Sequence, residues 1–219
     1  MTDIEILQLL AKSAKQAALL AKRAFDIIVA SLLLLLGLPL LMVTAMLIAL
    51  DGGPVLYFSE RVGLNGILFQ CIKFRTMILG ADRCLDEYLD YHPHIRNEWL
   101  QERKLAFDPR VTAVGQFLRK SSLDELPQLI NVIKGEMSLV GPRPVTQTEL
   151  DAHYLSRTEL YLSVRPGMTG LWQISGRNDV SYATRVALDE RYVRDWNFIL
   201  DLFILCKTPL VVLSRRGAR

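Results

Sequence analysis

Two carboxylates, Asp124 and Glu125, stand side by side in the segment Ser121-Ser122-Leu123-Asp124-Glu125-Leu126-Pro127-Gln128-Leu129. Arg119 and Lys120 precede them, and Arg143 follows in the rigid stretch Gly141-Pro142-Arg143-Pro144. Adjacent acids can hold Mg²⁺ or attack phosphorus, and guanidinium groups neutralise phosphoryl oxygens, so the chemistry these residue types suit is the handling of a phosphoryl group. The spacing predicts a short helix over 125–134, with Asp124 as its N-cap and Pro127 in its first turn. Leu126, Leu129, Ile130 and Ile133 would form its buried face and Gly135 its stop. Free N–H groups at such a start would keep Asp124 ionised and draw phosphate oxygens in. On spacing alone a plain helix cap accounts for Asp124 better. The density of cations at Arg110, Arg119, Lys120 and Arg143 shifts the balance towards a site.

Other segments carry weaker signals. Prolines on both sides of Arg143 restrict the backbone and would preorganise its guanidinium, although an exposed turn arginine fits equally well. Lys73-Phe74-Arg75-Thr76 sets two cations on one face of a predicted strand, where ordinary edge-strand charge is the alternative. The segment from Arg165 to Arg177 combines three glycines, Trp172 and two arginines. It reads as a ligand-shaped loop on which a base or sugar could stack, and a buried core Trp172 fits at least as well. His92-Pro93-His94 has no third metal ligand nearby and reads as a solvated loop. Cys71, Cys84 and Cys206 are scattered and odd in number, which suits free thiols in a reducing compartment.

The elements around these residues point to a membrane. The 219 residues are 51% hydrophobic with a net charge of +3, rather apolar for a soluble domain and too weakly basic to argue for nucleic acid. Residues 1–22 read as an amphipathic interfacial helix, with Thr2 and Glu5 as a capping pair, an apolar stripe including Ile6, Leu9 and Leu10, and Lys12, Lys15 and Lys22 elsewhere. Residues 27–50 carry no charge, and 24 helical residues would reach roughly 36 Å against a hydrocarbon core of about 30 Å. The run is too long and begins too late for a signal peptide, and it lacks a cleavage site. Pro39 near its middle should kink it, and basic residues flank both ends, so a helix re-entering the same side at 23–50 is favoured over a span. From Asp51 onward the pattern is globular and mixed α+β. A hairpin is predicted from Val55–Phe58 and Leu68–Phe74, followed by helices over 81–105 broken at Pro93, over 147–163 and over 181–195. The apolar tail from Trp196 to Leu213 reads as a helix lying on the membrane.

Three of these segments resemble the bacterial sugar transferases, the monotopic polyprenol-phosphate phosphoglycosyl transferases. They are Lys73–Met77, Leu118–Leu129 and Gly135–Pro144, and the likeness runs from about Lys22 to the C-terminus. The stretch Leu171–Tyr182 is most similar to the exopolysaccharide-production members of that family. The resemblance implies a re-entrant helix broken at a Ser-Pro pair, where this chain has Leu38-Pro39, and the family's minimal core without the multi-span N-terminal region of larger relatives. It implies catalytic Asp124 and Glu125, both also candidate Mg²⁺ ligands, and phosphate-binding Arg119 and Arg143, with Pro144, Lys73, Arg75 and Arg110 as further substrate-binding candidates. It implies a UDP-hexose donor, galactose favoured and glucose close behind, with undecaprenyl phosphate as acceptor at the bacterial inner membrane and the catalytic domain in the cytoplasm. Self-association is left open. Direct single displacement, and a non-catalytic scaffold in a polysaccharide assembly complex, are the competing readings.

Overall fold

The computed structural model describes residues 3–102, 105, 107–176 and 180–214, without the side chains of 3–12, 97, 98 and 100–102. Thr2 of the expected capping pair and the side chains of Ile6, Leu9, Leu10 and Lys12 lie outside the described residues, as does Arg177.

Helix α1, Asp3–Ala49, is a single element of 47 residues. Neither the boundary expected near Lys22 nor Pro39 interrupts it. A proline inside a helix removes one hydrogen bond, to the carbonyl four residues back, and a bend absorbs the clash while both flanking segments stay helical. Within α1, Ser13–Ala49 is long and apolar enough to cross a membrane, with a mean hydropathy of 2.7 over its most apolar window. It is not a core helix: Leu32, Leu35, Leu36, Met42 and Met46 are all exposed. Burial along it falls at Asp26, Ala30, Thr44 and Ile48, which share one face.

That face meets the domain at both ends. Near the start, Lys22 donates to the Val140 carbonyl and pairs with Asp201 at 2.6 Å, and Asp26 accepts from the Ser138 hydroxyl and the Leu139 N–H. Near the end, Arg75 donates to the Ile48 carbonyl and to Asp51.

Strands β1, Leu56–Val62, and β2, Leu68–Phe74, form an antiparallel hairpin in the register Leu56 opposite Phe74 to Val62 opposite Leu68. The turn at Leu64–Gly66 holds Asn65 and Gly66 at positive φ, the conformation these residue types best tolerate. Then follow α2, Ala81–Tyr91, α3, Pro93–Glu102, and α4, Ala113–Ser121; Pro93 opens α3, as the missing N–H permits. Helix α5, Gln128–Lys134, ends at Gly135 with φ +89. Asn131 on α5 is fully buried and ties it to β2, accepting from the Ile72 N–H and donating to the Gln70 carbonyl.

Strand β3, Ser138–Val140, pairs in parallel with β4, Gly167–Thr169, a contact between distant segments that the sequence pattern does not announce. Helices α6, Gln147–His153, α7, Thr158–Leu162, α8, Tyr182–Arg194, and α9, Phe198–Leu213, complete the chain. The main core gathers Ala30 of α1, Cys71 of β2, Leu129 and Val132 of α5, Leu139 of β3 and Ile204 of α9. α9 leaves Ile199, Phe203, Leu210 and Leu213 exposed, an apolar face without cover in the isolated chain. The molecule is thus helix-rich, with two small sheets and one long apolar helix.

Candidate active site

Helix α4 stops at Ser122, whose φ of +57 lets its N–H reach the Arg119 and Leu118 carbonyls. Leu123–Glu125 then form one 3-10 turn, and α5 begins only at Gln128. Asp124 is therefore not the N-cap of α5, which corrects the sequence-based expectation. Its electrostatics change with it. Burial, and secondarily the neighbouring Glu125, push the Asp124 carboxyl up to about 6, against the opposing pull of Lys73 and Arg119. Asp124 is thus an acid whose ionisation burial and a neighbouring carboxylate oppose, not one held ionised by a helix end.

The cations separate into two groups. Lys73 on β2 pairs with Glu125 at 2.7 Å. Arg119 donates to the Thr76 hydroxyl at 2.9 Å and is near enough to Asp124 for each to shift the other. These two surround the dyad. Arg75 instead ties the hairpin to the end of α1, 8% exposed and bound to Ile48 and Asp51. Arg110 is held by Asp108 through two contacts of 2.8 and 2.7 Å and lies over Trp99.

Glu125 and Lys73 open onto a cleft of about 280 Å³, continuous with solvent, whose walls also include Arg61, Gln128, Arg143, Pro144 and Gln173. Asp124, which interacts with Arg119, is not among the residues that line it. Arg143 reaches the cleft from a backbone that three contacts fix. Gly141 N–H donates to Thr169, Gly167 N–H donates to Pro142, and the Tyr161 hydroxyl lies 3.2 Å from the Arg143 carbonyl. Gly141 and Gly167 make this possible: a Cβ on Gly167 would stand 2.1 Å from the Gly141 nitrogen. Trp172 is buried at 3% exposure, so it is a core residue and offers no open face for a base.

Sequence reading missed Arg61, which lines the cleft and pairs with Glu149 at 3.2 Å, and Gln128 and Gln173. A cation inside an alternating strand carries no distinguishing pattern. The glycines at 141, 167 and 170 did carry a signal, close backbone approach, but not the partner.

Comparison with known proteins places the chain. The bacterial sugar transferase family matches residues 17–215, and the chain belongs to that family of transferases. It is 56% identical over 198 residues to the exopolysaccharide production protein ExoY of Rhizobium meliloti, covering 90% of this chain and 87% of that one. It is 48% identical to the undecaprenyl-phosphate galactose phosphotransferase of Salmonella typhimurium, over 99% of this chain but 45% of that longer protein. Similarity to the UDP-glucose:undecaprenyl-phosphate glucose-1-phosphate transferase of Caulobacter vibrioides is 39%, over 91% of this chain and 72% of that one.

Proposed function

We propose that the protein transfers a hexose 1-phosphate, galactose or glucose, from a UDP-sugar to undecaprenyl phosphate in exopolysaccharide synthesis, releasing UMP. The observation that carries this reading is the Asp124–Glu125 pair flanked by Lys73 and Arg119, with Glu125, Lys73 and Arg143 lining one cleft. An Asp124 oxygen attacks the β-phosphorus, and the bond from that phosphorus to the bridging oxygen breaks, its electron pair leaving with UMP. A phosphate oxygen of the lipid then attacks the same phosphorus and returns the Asp124 carboxylate. Dividing the transfer lowers each barrier, and the acid must be deprotonated for the first step. Arg119 and Arg143 neutralise charge on the phosphoryl oxygens.

The donor set also suits Mg²⁺. Asp124 and Glu125 supply hard oxygens, and among the described residues no third acid, histidine or cysteine joins them. Mg²⁺ commonly binds through one or two carboxylates and takes its remaining ligands from water and substrate phosphates. Glu125, with Asp124 beside it, would hold the ion, which when bound offsets charge on the diphosphate.

We further propose that α1 enters the membrane from the cytoplasmic face and returns to it, bending at Pro39, with α9 lying in the interface. What supports this is that Lys22 and Ile48, either side of the apolar run, are both tied to the same domain. UMP release by detergent-purified protein, with undecaprenyl phosphate, Mg²⁺ and a panel of UDP-sugars, tests the reaction. Release with one sugar, abolished in Asp124→Asn, is the expected result. Near-normal turnover in that variant would remove Asp124 as nucleophile, and a sugar-phosphate adduct trapped on the protein would separate the two-step route from direct displacement.

A further inference from the structure

Arg185 is a buried cation whose side chain forms no ion pair with a described residue. It lies on α8 with 9% of its surface exposed, its Nε has no partner, and its side chain makes no hydrogen bond with any described residue. Its guanidinium carbon stands 4.1 Å from the centre of the Trp172 ring and 4.7 Å from that of Tyr182. Arg143 approaches the same indole at 5.7 Å and likewise has no acidic or hydrogen-bonding partner for its side chain among the described residues. Ring faces attract cations, but they offset only part of the cost of withdrawing a guanidinium from water. Two like charges at one ring add repulsion, and burial together with Arg143 lowers the pKa of Arg185.

The surroundings are rich in unused donors. Trp172 Nε1 and the Tyr182 hydroxyl are both buried without partners. Asp189, one turn further along α8, is 2% exposed and accepts from the Tyr154 hydroxyl through Oδ2, leaving Oδ1 unpartnered. Burial pushes that carboxyl up to about 7, so it counters the two guanidiniums only in part. Native interiors leave few polar groups unpaired, and unpaired donors around two cations that, among the described residues, Asp189 and Glu149 offset only at a distance mark a place built for an anion with several acceptor oxygens.

We propose that Arg185 and Arg143, arranged about Trp172, form one anion site, and that it takes a phosphoryl group reaching in from the cleft. Arg143 and Gln173, the residue after Trp172, both line that cleft, which gives the site its entrance. The guanidinium fork matches two phosphate oxygens at once, and a phosphate dianion balances both charges. The source rests on the transferase reading: either the diphosphate of the nucleotide donor or the monoester phosphate of the lipid acceptor. Arg185 is then a binding residue and not a packing residue of α8.

Calorimetric titration of the full chain in detergent with inorganic pyrophosphate tests this without turnover. Arg185→Met should weaken binding by about tenfold or more, as loss of a charged hydrogen-bonding pair does, and Arg185→Lys by less. Because the two rings and a partly protonated Asp189 offset only part of the cost of burying this cation, anion-free Arg185→Met should melt no lower than the wild-type protein, and pyrophosphate should raise the melting temperature of the wild type alone. A folded Arg185→Met that binds pyrophosphate within twofold of wild type would overturn the proposal. If that variant does not fold, Arg185→Lys decides by the same threshold. Steady-state arms assign the source: a raised KM for UDP-sugar alone points to the donor diphosphate, and a raised KM for undecaprenyl phosphate alone to the acceptor. The pyrophosphate arm reads Arg185 by itself, so wild-type protein inert towards every UDP-sugar would overturn the transferase reading and not this one.

Discussion

Asp124 carries opposing demands. As the proposed nucleophile it would have to be ionised, yet burial and Glu125 raise its carboxyl to about 6. The native state therefore binds this proton more tightly than the unfolded chain, where the value is 3.8. The stability it contributes is complete below that value and is lost as pH rises through about 6. Asp124→Asn, neutral at every pH, should thus melt at or above the wild-type temperature at pH 7.5 while losing turnover, and a clear fall in melting temperature would contradict this account. The rate of the wild type should fall as pH drops through about 6. Glu125→Gln removes one of the two causes of the upward shift, so the acidic limb of its residual activity should move to lower pH. Lys73 and Arg119 are the cations beside Asp124 and Glu125, and that the two acids would stand near cations was legible in the sequence from the density of basic residues around them. The turn that presents them was not: Ser122 takes a left-handed conformation usually given to glycine, and nothing in its type announces that.

At the level of elements, the site is held by two ties of different legibility. Alternation and Asn65-Gly66 made the hairpin readable, and Pro93 made the break between α2 and α3 readable. The β3–β4 pair was not, since three-residue strands show no period and their pairing depends on distant segments. That pair nonetheless sets Arg143, through glycines whose backbones nearly touch. Gly167→Ala should force the two strands apart and cost at least about tenfold in kcat/KM, because small displacements of a phosphate-binding group are costly. Activity within twofold of wild type would show that Arg143 is positioned by other means. Asn131 makes the second tie, between α5 and β2. Asn131→Leu leaves the Ile72 N–H and the Gln70 carbonyl unpaired and should destabilise the fold by about 2–4 kcal/mol, read as a lowered denaturant midpoint.

The whole molecule is organised around one apolar helix fastened to its domain on both sides of Pro39. Lys22 meets Asp201, which also accepts from Tyr192 and Trp196, and at the other end Arg75 grips the Ile48 carbonyl. Between these ties the exposed leucines need cover, each worth about 2 kcal/mol when removed from water. A bilayer supplies it, but a straight span would leave Lys22 and Asp26 on the side opposite the domain that follows Ile48, breaking their contacts with Asp201, Val140, Ser138 and Leu139. Retaining both ties requires both ends on one face. In a variant lacking Cys71, Cys84 and Cys206, single cysteines at the exposed positions Ser13 and Glu60 should react with an impermeant maleimide from the same side of oriented vesicles. Labelling from opposite sides would establish a span and dismiss the re-entrant reading. Pro39→Ala restores the missing hydrogen bond and favours a straight helix, so it should move a fraction of molecules to opposite-side labelling and lower turnover in proportion. A proline variant that keeps same-side labelling and full activity would mean that the two polar ties, and not the bend, hold the helix in place.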